Sequence, residues 1–95
     1  MSQRYQHEID LRSRVPGHTL PSIDLYVEQR IPPGDFLLAV LRNDLKESFA
    51  RADMTNRAAL FDIVNYLYNC VPGKCWGTPE RVEQWLNPEE KDDND

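Results

Sequence analysis

Apolar residues recur at steps of three and four along most of this chain, the spacing of amphipathic helices. From Ile31 to Asp53, IPPGDFLLAVLRNDLKESFARAD, the residues Leu37, Leu38, Leu41, Leu45, Phe49 and Ala52 fall on one face, and Phe36 and Val40 widen it near the start. Arg42, Asn43, Lys46, Glu47 and Arg51 fall on the opposite face. The spacing predicts one long helix with its apolar stripe at the centre of the fold. Pro33 suits the first turn, where an amide donor is not needed, and Asp35 meets the positive end of the helix dipole.

Three shorter helices are predicted around it. The first runs from about Leu20 to Arg30, with Thr19 or Ser22 as N-cap and a stripe of Leu20, Ile23, Val27 and Ile31 beside Tyr26; Pro32-Pro33-Gly34 ends it. Asp53-Met54-Thr55-Asn56 then connects the central helix to a helix over Arg57 to Asn69, whose Leu60, Phe61, Ile63, Val64, Leu67 and Tyr68 make a broad apolar face. A connection this short predicts an antiparallel hairpin. Thr78-Pro79-Glu80 opens the last helix with Val82, Trp85 and Leu86 on its apolar side, and Asn87-Pro88 stops it. Residues 1–18 carry only the short alternation Glu8-Ile9-Asp10-Leu11-Arg12, compatible with a strand edge or a single helical turn, and are expected to form a flexible or loosely docked arm. The predicted organisation is therefore all-α: an arm over 1–18, one domain of about four helices over 19–87 with a central antiparallel hairpin, and a disordered acidic tail over 88–95.

Length and charge narrow this picture. Ninety-five residues allow one domain with a thin core. The longest apolar run, Phe36 to Leu41, is six residues, far below the roughly 20 that cross a bilayer. MSQRYQHEIDLRSR lacks the apolar stretch of a secretory signal, so a cytoplasmic setting with Cys70 and Cys75 as reduced thiols is expected. The net charge of −5 is concentrated in EEKDDND, residues 89–95, where five acids and one lysine give −4 and leave about −1 for the rest. A nearly neutral body lacks the basic face of a duplex-DNA binder, although Arg4, Arg12 and Arg14 bias the first 20 residues slightly positive.

Chemistry-bearing residues gather in the loop from Cys70 to Gly77, which holds Cys70, Lys74, Cys75 and Trp76 next to Tyr68. Cys-x4-Cys is not a usual zinc-knuckle spacing, and the other two ligands would have to be His7 and His18 in the arm, so no metal or other cofactor is expected. Cys70 at a helix end and Trp76 as a plug over the core are the simpler assignments. No Gly-rich phosphate loop and no nucleophile with a base and an orienting third group can be assembled, so an enzyme is not expected. The Asp53–Asn56 bend would offer Arg57, Asp62 and Asn65 to a DNA groove, a poor basic complement. Tyr26, Tyr66, Tyr68, Trp76 and Trp85 are many aromatics for so thin a core; they either thicken it or form a protein-binding or self-association surface.

IPPGDFLLAVLRNDL, NRAALFDIVNYLYN and CWGTPERVEQWL together resemble a group of small uncharacterised proteins encoded by tailed phages and prophages, over roughly Ile23 to Leu86. The group has no established activity, so the resemblance transfers no functional residue. It implies a phage-derived accessory protein acting in a bacterial cytoplasm, and proteins of that kind often bind a host factor. The leading expectation is a non-enzymatic binding module, a homo-oligomer engaging a bacterial protein, centred on Tyr68, Cys70, Lys74 and Trp76. Two alternatives stand beside it: capture of a nucleotide or signalling metabolite, with Arg42, Lys46 and Arg51 on phosphate and Trp76 or Tyr68 stacking, and nucleic-acid binding.

Overall fold

Residues 2–88 are described by the computed structural model, residues 2–5 by their backbone alone, and every regular element among them is helical. In chain order these are α1 (Ser2–Ser13), α2 (Leu20–Gln29), α3 (Asp35–Leu41), α4 (Leu45–Arg51), α5 (Met54–Ala58), α6 (Leu60–Cys70), a 3₁₀ turn (Gly73–Cys75) and α7 (Pro79–Leu86). The all-α class is as predicted. The number of helices is not: among the described residues seven α-helices replace about four, because two predicted helices are each divided and the N-terminal arm forms a helix of its own. The acidic tail predicted from residue 88 lies, beyond Pro88 itself, outside the described residues.

The central helix is broken at its middle. Asn43 takes the left-handed conformation, φ 66°, which the short polar side chain of Asn accommodates better than most. Asp44 then caps α4, its carboxylate accepting from the Glu47 amide at 3.1 Å, while Ser48 Oγ donates to the Asp44 carbonyl at 2.6 Å. Asp-x-x-Glu is a helix-start signature that the continuous apolar period conceals. The consequence is large for packing. α4 folds back against α3, and Leu45 and Phe49, predicted on the core stripe, are 70% and 54% exposed. The break predicts the sign of two substitutions. Asn43→Gly leaves stability unchanged or raises it by a few tenths of a kcal/mol, whereas Asn43→Ala lowers it by about 1 kcal/mol, since alanine pays for a positive φ. Thermal denaturation distinguishes the two, and a gain from alanine would mean that α3 and α4 are one helix.

The next predicted helix starts earlier than its period suggests and is divided without a side-chain cap. Asp53 accepts from the Asn56 amide at 2.7 Å and starts the five-residue α5, and Ala59 separates it from α6. Asn56 is buried and its Oδ1 accepts from Thr19 Oγ1 at 2.6 Å, so Thr19 joins α2 to α5 instead of capping its own helix.

The N-terminal arm is also corrected. Residues 2–13 form α1, which lies along α6, and Leu11 and Val15 are buried in the core. Two anchors are too few to show as a period in the sequence. The decisive contact is polar: Arg12 donates from both guanidinium nitrogens to Asp24 at 3.1 and 3.0 Å and from Nη1 to Tyr66 Oη at 2.8 Å, which ties α1 to α2 and α6. The bonds to Asp24 above all raise the pKa of the Arg12 guanidinium well above its ordinary value.

α2 ends at Arg30, in the left-handed conformation, just ahead of Pro32-Pro33. α7 is as predicted, with Thr78 Oγ1 accepting from the Arg81 amide at 3.0 Å, Pro79 in the first turn and Val82 facing inward. Ile23, Tyr26, Leu41, Ile63, Leu67, Cys75 and Val82 are almost wholly buried and form the centre of the core. Among the described residues no helix is long and apolar enough to cross a membrane.

Candidate functional site

The Cys70 to Gly77 loop, the favoured site in the sequence, is built as a clasp that closes α7 over the core. Tyr26 Oη, inside the core, donates to the Cys75 carbonyl at 2.6 Å, and the Gly77 amide donates to the Leu41 carbonyl at 2.7 Å. Gly77 does this at φ 112°, a conformation open to glycine. From α7, Trp85 Nε1 donates to the Tyr26 carbonyl at 2.8 Å. Arg30 covers the outer face of that indole, its guanidinium 3.7 Å from the ring centre and its Nη1 donating to the Trp85 carbonyl at 2.9 Å. Lys74 approaches the same ring at 5.8 Å, and Arg81 Nη1 donates to the Gly73 carbonyl at 3.0 Å.

The loop's reactive-looking groups are thus spent on structure. Cys75 is fully buried, Cys70 partly so, and burial raises both thiols above their ordinary pKa, which keeps them protonated and weakly nucleophilic. Trp76 packs partly buried against the core. His18, one of the two histidines weighed as metal ligands, lies against Asp53 at 3.1 Å. Among the described residues no group of three His, Cys, Asp or Glu side chains converges on a point.

The cations of the second predicted site are placed in part together. Arg42 and Arg51 line a groove of about 210 Å³ with Asp35, Leu38, Ala39, Asp44 and Glu47; Lys46 is not among its walls. Three acids face two cations there. Arg51 is further committed to the Glu47 carboxylate on its own helix and to Asp35 at 3.5 Å. A phosphate entering this groove would meet an acidic lining, so the arrangement does not make a phosphate cradle.

What the structure exposes instead is an apolar face on α4 and α6. Eight of the eleven residues of α6 are apolar or aromatic, more than one face of a helix can bury against its neighbours. At 100° per residue, Ile63, Tyr66, Leu67 and Cys70 point into the core, and Phe61, Val64 and Tyr68 form a second stripe on the far side. Phe61 and Tyr68 are each 79% exposed, with Val64 at 37% between them. Leu45 joins this stripe across a shallow groove walled by Val40, Leu60, Val64 and Trp76, with Asn43, Asp44 and Ser48 on its polar side. Phe49 extends it toward α5, where the Arg57 guanidinium lies 4.5 Å from its ring centre and donates to the Phe49 carbonyl at 3.3 Å. Met54, 84% exposed, lies at the start of α5.

Of the residues singled out in the sequence, Tyr68 belongs to this face and Trp76 touches its floor; Cys70, Lys74, Arg42, Lys46 and Arg51 do not line its groove. Phe61, Val64, Leu45 and Phe49 were assigned to the core. The available signal was the count of apolar residues in α6, which exceeds what a single buried stripe uses. Comparison of the chain with protein-family models, with curated proteins and with solved structures finds no match.

Proposed function

We propose that this chain is a non-enzymatic binding module, a phage-derived accessory protein that acts in the bacterial cytoplasm by engaging a protein partner through the apolar face of α4 and α6. One observation carries the proposal: Leu45, Phe49, Phe61 and Tyr68 are each more than half exposed, and Leu45 and Val64 wall one groove. Side chains of this kind are costly to leave in water, and contiguous apolar surface of this extent marks interaction sites in soluble proteins. Aromatic residues in such a face supply most of the energy of a protein contact, because they bury a large rigid area at little entropic cost. The phage setting is supported by the resemblance of Ile23 to Leu86 described above.

Photo-crosslinking tests it. A photoreactive phenylalanine analogue at position 61 is expected to form discrete adducts with polypeptide in bacterial cells, and the same analogue at Gln84, on exposed α7, is not. Leu45→Asp should abolish the adducts from position 61 without changing the helical circular dichroism, since Leu45 is 70% exposed. Absence of adducts from position 61, or equal labelling from both positions, would overturn the proposal.

A further inference from the structure

We infer that the partner on this face is a second copy of the same chain, docked through α6 in an antiparallel, two-fold arrangement. The inference rests on the reading of the α4 and α6 face as a protein-binding surface and names its occupant.

The exposed apolar stripe of α6 is nearly symmetric about Val64. Phe61 and Tyr68 project on either side of Val64, three residues before it and four after it, with exposures of 79%, 37% and 79%. Two such helices laid antiparallel about an axis near Val64 set each Phe61 beside the other copy's Tyr68, so that an aromatic pair closes each end of the contact and the two Val64 side chains meet near its centre. An isologous interface requires one patch to fit itself in this way.

The area is also sufficient. Leu45, Phe49, Met54, Phe61, Val64 and Tyr68, between 37% and 84% exposed, offer on the order of 700 Å² of removable side-chain surface at ~150–250 Å² per large aromatic. That approaches the ~800 Å² that each partner contributes to a stable interface. The Cα trace, 41 by 38 by 17 Å, is a slab whose short dimension holds little more than two layers of helices at ~8–10 Å between axes. A second copy would supply α6 with the neighbour that its sequence is patterned to meet.

Sedimentation velocity over a concentration series is the test. The expected result is a reversible monomer–dimer equilibrium that Phe61→Asp and Tyr68→Asp each shift fully to monomer, with the far-UV spectrum unchanged because both positions are mostly solvent-facing. A Val64→Cys variant, with Cys70 replaced by serine, is expected to oxidise to a covalent dimer, and Gln84→Cys in the same background is not. A chain that stays monomeric to millimolar concentration overturns the inference, as does a dimer that survives both aspartate substitutions. Either failure leaves the binding-module proposal open to its own test: photo-adducts from position 61 would then join the chain to a different polypeptide, whereas a dimer gives adducts at twice 11.1 kDa.

Discussion

Leu67→Ala will lower the free energy of unfolding by about 3 kcal/mol, and Phe61→Ala, on the same helix, by less than about 0.5 kcal/mol. Leu67 is completely buried, among the largest wholly enclosed side chains of the molecule, so truncation removes its transfer energy and leaves a cavity that the surrounding helices fill only in part. Phe61 is 79% exposed and gives up little on truncation. At ~4–8 °C per kcal/mol for a domain of this size, the first change moves the melting temperature by ~10–25 °C and the second by a few degrees at most. Urea denaturation at low protein concentration, where self-association does not contribute, separates the two. Equal losses would show that both faces of α6 are covered in the single chain, and the binding surface would have to be sought elsewhere.

The sequence carried the helical class and several helix ends, because these depend on local chemistry. The Pro32-Pro33-Gly34 break, Asp35 in the first turn of α3, the Thr78-Pro79 start and the Asn87 stop act within one turn of themselves and are read from neighbouring residues. Asn43-Asp44 is equally local, yet the apolar period runs unbroken across it from Leu41 to Leu45 and overrides it in a pattern reading. Periodicity says that positions share a face if the helix is continuous; it does not say that the helix is continuous. α1 was hidden for a different reason. Its place is set by Arg12, whose partners Asp24 and Tyr66 lie 12 and 54 residues away, and a charged residue in a polar segment gives no sign of such partners.

The surface was partly legible. The sequence leaves Tyr68 open between core and interface, and the structure exposes 79% of it; the Cys70 to Gly77 loop stands out in the sequence because thiols, an indole and a lysine cluster there. Their roles are decided by contacts spanning 49 and 59 residues, from Tyr26 to Cys75 and from Trp85 to Tyr26, and those contacts turn the loop inward. Phe61 and Val64 passed as core because an apolar residue at helical spacing is usually covered. Only a count of how many neighbours a short chain can supply shows that α6 has more apolar surface than this fold can bury.

The clasp that replaced the expected site has a pH signature of its own: the protein will lose stability on the alkaline side, beginning near pH 9 and more steeply above pH 10. Cys75 and Tyr26 are fully enclosed, and burial raises both their pKa values from the ordinary 9.0 and 10.0. Tyr66 is raised as well, again chiefly by burial and in spite of Arg12 beside it, and Cys70 likewise. The folded chain therefore keeps protons that the unfolded chain releases. Unfolding then gives up protons, the unfolded state binds fewer of them, and stability falls as pH rises; below the ordinary thiol range both states are protonated and the contribution is fully present. Each proton held only by the folded state costs at most about 1.4 kcal/mol per pH unit. The thiols act first and the phenols join them. Urea midpoints measured at pH 7, 9, 10 and 11 will show this limb. Cys75→Ala should flatten it between pH 9 and 10, and Tyr26→Phe, which lowers stability at pH 7 by ~1–3 kcal/mol because the buried Cys75 carbonyl loses its donor, should flatten it above pH 10. Midpoints unchanged through pH 11 would mean that solvent reaches these groups in the native state, and the Tyr26, Cys75 and Trp85 clasp would not be the closed unit described above.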